Sequence, residues 1–159
     1  AIASRAVIPP DALLVVDIGV TVDGYASDMT RTFATGMLSE REREMHRLVQ
    51  SAQKAGKEAV KAGVAAAEVD RVARSVIDNA GMGEYFKHSL GHGVGLEVHE
   101  APRLSPRSTE ILQAGNVVTV EPGIYVEGLG GVRIEDTVIV TDHGCEVVTE
   151  LPRELITLF

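Results

Sequence analysis

The dipeptide Asp23-Gly24 lies between two β-forming runs, LLVVDIGVTV and YASDMTRTF, and dictates how they pair. A two-residue Asp-Gly loop favours a tight hairpin whose twist matches that of its strands. Val22 then faces Tyr25, and Asp17 faces Thr30. Asp28 falls on the same face as Thr30, so Asp17 and Asp28 become diagonal cross-strand neighbours. Strand interiors usually exclude aspartate. Two unpartnered carboxylates at this distance would repel. A bound cation resolves the conflict; the plain alternative is that one of the two is a turn acid and the other pairs with Arg31.

Downstream, Ser39-Glu40-Arg41-Glu42 forms a capping box that opens a helix. Met45, Leu48, Val49, Ala52, Ala59 and Val60 follow at helical spacing, and Gly63 closes it. A second helix carries Val69, Val72, Ala73, Val76, Ile77 and Ala80 on one face and stops at Gly81. Both helices have polar backs and so cover one side of a sheet. After the Gly- and His-rich segment 88–99, a strand over 117–121 halts at Pro122-Gly123. A second hairpin is expected over 124–127 and 132–140, and a last strand near 146–149. Hairpin, two helices and further strands make an α+β fold with a curved, largely antiparallel sheet.

More chemistry-bearing residues fall in these strands. Glu121 ends an apolar run. Glu135 shares a strand face with Arg133 by alternation, which alone would suit a solvated Arg–Glu pair. His88, His92 and His99 stand within twelve positions. Glycines flank His92 and permit a sharp bend or close approach. Gly93 and Gly95 offer the bend that would bring His92 and His99 together. Asp17, Asp28, His92, Glu121 and Glu135 combine hard oxygen ligands with one imidazole, a set suited to divalent Mn, Co, Zn or Fe. Four carboxylates balance the charge of two such ions, so a two-metal site is the economical account.

The segments DIGVTVDGYASDMTRTF, HSLGHGVGLEVHE, VTVEPGIYV and GVRIEDTVIV, in this order, resemble the pita-bread metallopeptidase family. GHGVGLEVHEAPRLS is more similar to the Xaa-Pro peptidases, dipeptidases (prolidases) and aminopeptidases alike, than to the methionine aminopeptidases. The resemblance implies a pita-bread α+β fold with helices on one side of the sheet. It also implies a dinuclear centre of Mn, Co or Zn and hydrolysis of Xaa-Pro bonds, with a Xaa-Pro dipeptidase expected ahead of an aminopeptidase. Asp17 is expected to bind one metal, Asp28 and Glu135 to bridge, and His92 and Glu121 to complete the second site. Glu121 is also expected to shuttle protons, His99 to approach the carbonyl oxygen or the developing tetrahedral oxyanion, His88 to line the substrate pocket and join the catalytic residues, and Arg103 to clamp the substrate carboxylate. Arg133 orients Glu135 or Asp28 from behind.

The family's helical segment and Pro-His-Gly strand ahead of the first metal Asp have no counterpart before Asp17. Residues 1–159 are therefore expected to be a C-terminal catalytic domain with its first part missing. A homodimer or a covering partner would then shield exposed edges. A catalytically silent metal-binding remnant or interaction module is the reading from another class.

Composition narrows the partners. With 15 basic against 23 acidic residues, a net charge of −8 and no Trp, nucleic acid is excluded as a partner. No apolar run approaches the ~20 residues of a membrane span and no charged-then-apolar stretch is visible at the start, so neither a membrane span nor a secretory signal is expected. One cysteine, Cys145, rules out an internal disulfide and makes the cytoplasm the expected compartment; it reads as a small, partly buried hydrophobe.

Overall fold

A computed structural model describes residues 5–159. The first hairpin adopts the register that Asp23-Gly24 dictates. Strand β1 (Leu13–Ile18) leads into β2 (Thr21–Val22), which returns through β3 (Tyr25–Ala26) and β4 (Met29–Ala34). Val22 pairs with Tyr25, and Asp17 with Thr30. The ladder is interrupted on both arms. Asp28 lies in the gap between β3 and β4 rather than inside a strand. Asp23 and Gly24 both take positive φ, as a tight turn of this type requires.

Helix α1 (Glu40–Ala59) starts at Ser39, whose side chain and that of Glu42 cap one another's backbone N–H groups. It ends before Gly63. Val60 turns to extended backbone and is fully buried, while Gly63, at positive φ, bends the link to the next helix. Helix α2 (Ala66–Asn79) has no side-chain cap; instead the Ala66 N–H donates to the Glu110 carbonyl at 2.9 Å. Met45, Val49 and Ala52 of α1 pack with Val69, Ala73 and Ile77 of α2 in one core. Each larger aliphatic side chain buried there contributes about 1.5–3 kcal/mol. A Cβ on Gly56 would stand 3.0 Å from Val120 Cγ1 and 3.2 Å from Ala73 Cβ, so glycine sets the closest approach of α1 to its neighbours.

The remaining strands are β5 (Gly91–Gly93), β6 (Glu100–Leu104), β7 (Val117–Val120), β8 (Gly123–Val126), β9 (Gly130–Arg133), β10 (Asp136–Thr141), β11 (Gly144–Val147) and β12 (Ile156–Thr157). Among the described residues the strands divide into a five-stranded sheet, β11-β10-β7-β5-β6, a three-stranded one, β1-β4-β12, and two ribbons. All pairs are antiparallel except β4–β12. Val118, Val120, Val138 and Val140 join the helices in the core. The alternate residues Thr119 and Thr137 therefore point to the other face of the sheet.

Two sequence expectations shift here. The run 132–140 is not one strand: β9 pairs with β8, whereas β10 pairs with β7 and β11. The chain changes sheets at Ile134 and Glu135, where the Glu135 N–H donates to the Thr30 carbonyl at 3.0 Å. The last expected strand starts earlier, at Gly144, and the short β12 follows it. Cys145 is half-buried and packs against the core. Among the described residues no helix is long and apolar enough to cross a membrane.

Candidate metal centre

Asp17 comes from β1, Asp28 from the gap after β3, His92 from β5, Glu121 from the end of β7 and Glu135 from the β9–β10 junction. Candidate ligand atoms of Asp17, Asp28 and Glu135 all lie within 4.8 Å of one another. The same holds for His92, Glu121 and Glu135, and for Asp28, His92 and His99. Asp28, His92 and Glu135 each belong to two of these groups. His92 Nε2 lies 3.1 Å from Glu121 Oε1 and 3.7 Å from Asp28 Oδ2.

The glycines around His92 serve neighbouring strands. A Cβ on Gly91 would meet the Thr119 carbonyl oxygen at 2.0 Å, and one on Gly93 the Ala101 carbonyl oxygen at 2.2 Å. The bend beyond Gly93 brings the His99 ring to 4.2 Å from that of His92. The bend is also fastened to the first hairpin: Ala26 N–H donates to the Gly95 carbonyl at 2.8 Å, and Tyr25 Oη to the Val94 carbonyl at 3.0 Å.

Electrostatically the site is frustrated without a cation. Burial, followed by the charge of Asp17, raises the Asp28 pKa. Glu135 is pushed up to about 8 by burial first and by the charge of Glu121 next, against a hydrogen bond from Thr30. Burial opposes protonation of His92, but Glu121, the Gly93 carbonyl and Asp28 together raise its pKa. Glu135 Oε1 is buried and has no hydrogen-bond partner. An orphaned carboxylate oxygen among three further acids and an imidazole fits a divalent cation by charge and donor type.

The supporting residues were less visible in sequence. Thr30 donates its hydroxyl to Glu135 Oε2 at 2.6 Å and accepts from Arg133 Nε at 3.1 Å. Thr119 donates to Glu121 Oε1 at 3.0 Å. Arg133 stands behind Glu135: its Nε donates to Thr30, which donates to Glu135, while the rest of its guanidinium contacts Asp17 Oδ2 at 2.5 Å and Tyr125 Oη at 2.9 Å. Arg31 pairs with Asp136, not with Asp17 or Asp28. The hairpin register points to Thr30, which faces Asp17. Nothing in sequence pointed to Tyr125.

His88 and Arg103 line one cavity of about 710 Å³ with Arg74, Phe86, Lys87 and Arg107. The His88 ring stands edge-on to Phe86 and 5.7 Å from Tyr125. Its Nε2 is buried without a partner, and burial lowers its pKa.

Residues 1–142 match the model of metallopeptidase family M24, and the chain belongs to that family. It is 50% identical over 144 residues to a Xaa-Pro dipeptidase of Pyrococcus furiosus, covering 91% of this chain and 41% of that protein. Among solved structures, a Xaa-Pro dipeptidase from Bacillus anthracis superposes with a TM-score of 0.97 at 50% identity, over 99% of this chain and 44% of the other. An X-Pro aminopeptidase from Thermotoga maritima gives 0.95 at 44% identity, over 98% and 44%. The fold is thus α+β of the pita-bread type, and the chain spans less than half the length of these relatives.

Proposed function

We propose that this chain carries a dinuclear metal centre that hydrolyses Xaa-Pro bonds, as a Xaa-Pro dipeptidase (prolidase). The observation that carries the reading is that, of the three residues shared between neighbouring groups of candidate ligands, Asp28 and Glu135 are carboxylates with two oxygens to offer, whereas His92 offers one nitrogen. In this reading Asp17, Asp28, His92, Glu121 and Glu135 would hold two ions, with Asp28 and Glu135 common to both sites, Asp17 belonging to one and His92 and Glu121 to the other. Divalent Mn, Co or Zn in such a set supplies Lewis acidity, which acidifies water and polarises a carbonyl.

The chain's own groups supply the rest. Glu121 takes up and returns a proton at a carboxylate oxygen. His99, exposed beside His92, hydrogen-bonds the scissile carbonyl oxygen. His88 and Arg103 share a cavity rich in cationic groups, which suits a peptide's terminal carboxylate. An Xaa-Pro bond has no N–H, so a site that relies on carbonyl polarisation tolerates it.

The test is manganese- or cobalt-dependent hydrolysis of a proline dipeptide by the wild-type chain, Asp28→Ala and Glu135→Ala. Cleavage that survives either substitution rejects the reading. Metal uptake without cleavage assigns the chain as a silent metal-binding remnant. Amidating the dipeptide's C-terminus separates the two Xaa-Pro activities: indifference to amidation favours the aminopeptidase named among the similar structures.

A homodimer and a cytoplasmic setting belong to the same proposal. Ile18, Val20, Val22 and Leu151 are exposed around a largely apolar cavity of about 720 Å³ beside Asp28. Light scattering that returns only the monomer mass removes the dimer.

A further inference from the structure

The carboxylates of Asp28 and Glu135 both leave the backbone where strand pairing is interrupted. Regular ladders do not fix these two residues, yet the proposed bridging role demands that both be fixed. The structure holds each from behind, through its own carbonyl. Arg31 Nη1 donates to the Glu135 carbonyl and, at 2.8 Å, to the Thr30 carbonyl. Thr137 Oγ1 donates to the Asp28 carbonyl at 2.8 Å.

Arg31 is buried, and its fork is fully used. Nε donates to the Pro152 carbonyl at 2.9 Å; Nη2 donates to the Leu151 carbonyl and to Asp136 Oδ1, both at 2.8 Å. With the two Nη1 contacts, all five guanidinium N–H groups have partners. Asp136, itself fully buried, is held at Oδ2 by Gln53 and Lys57 at 2.7 Å and by Arg153 at 2.6 Å. Helix α1, strand β4 and the carboxy-terminal segment therefore converge on the residue that follows Glu135. Thr137, the next residue, holds Asp28. A lysine in place of Arg31 would keep the charge but not a rigid fork that spans two carbonyls.

We propose that Arg31 and Thr137 are positioning residues of the metal centre, clamping the backbone carbonyls of Glu135 and Asp28 so that the two carboxylates keep their spacing. The inference rests on the metal-centre reading above.

The experiment titrates metal-free wild-type chain, Arg31→Lys, Thr137→Val and Lys57→Met with cobalt(II), reading the dissociation constant and the visible absorption bands. Thermal unfolding is recorded for each. Lys57→Met removes a contact to Asp136 without touching either carbonyl. Arg31→Lys and Thr137→Val are expected to weaken cobalt binding by about tenfold or more, the scale of outer contacts to metal ligands, and to alter the bands. Lys57→Met is expected to lower the melting temperature and leave both readouts at the wild-type values. Wild-type binding and spectra in Arg31→Lys and Thr137→Val overturn the inference, as does an equal loss in Lys57→Met. Should Arg31→Lys not fold, the nearly isosteric Thr137→Val decides alone. Wild-type chain that takes up no cobalt rejects the metal centre itself, a failure distinct from unaltered variants.

Discussion

Thr30 donates its hydroxyl proton to Glu135 across a gap of 105 residues, at 2.6 Å, from the strand position facing Asp17. The same oxygen accepts from Arg133, so one side chain aligns a carboxylate and an arginine. Thr30→Val keeps the shape and removes both bonds. We expect manganese affinity to fall about 10–100-fold, measured by calorimetric titration, with the circular dichroism spectrum unchanged.

The pH dependence of the metal-free chain follows from Glu135, whose pKa rises from 4.5 unfolded to about 8 folded. Below the lower value both states hold the proton. Between the two values only the folded state holds it, so stability falls as pH rises through this window. Above the upper value the loss is complete. In chelator the melting temperature is expected to fall across this window, and Glu135→Gln to flatten the fall. Manganese is expected to restore the midpoint most at the upper end, since binding displaces the proton.

Gly91→Ala places a methyl group 2.0 Å from the Thr119 carbonyl oxygen, backbone that has no room to retreat. A loss of about 3 kcal/mol, the upper range for overpacking, is expected in urea unfolding. Gly144→Ala, where a Cβ meets nothing within 4 Å, is the matched control and is expected to melt near wild type.

Ile77 is fully buried between α2 and the sheet. Ile77→Ala is expected to cost about 2–5 kcal/mol of unfolding free energy. Cobalt affinity of the folded fraction is expected to stay at the wild-type value, which separates core stability from the centre.

Much of this was legible because short-range rules held without competition. Asp23-Gly24 set the hairpin register, Ser39 and Glu42 set the start of α1, and the four candidate acids converge, although only Asp17 among them lies within a strand. What was hidden depends on long-range partners. The β9–β10 break is invisible in a Val-rich run, because strand alternation carries no record of which sheet a segment joins. The direct ion-pair partners of the two arginines are likewise long-range: the fold supplies Asp136 to Arg31 and Asp17 to Arg133, each more than 100 residues away. The flanking glycines of His92 were expected to make room for a ligand or a bend; Gly91 makes room for a neighbouring strand.

The fastening of Tyr25 and Ala26 to Val94 and Gly95 gives the rim of the centre a mechanical property. The hairpin arm that ends in Asp28 and the loop that ends in His99 form one lip rather than two. A displacement of the arm carries the loop with it, so the approach to both residues widens or narrows in a single movement.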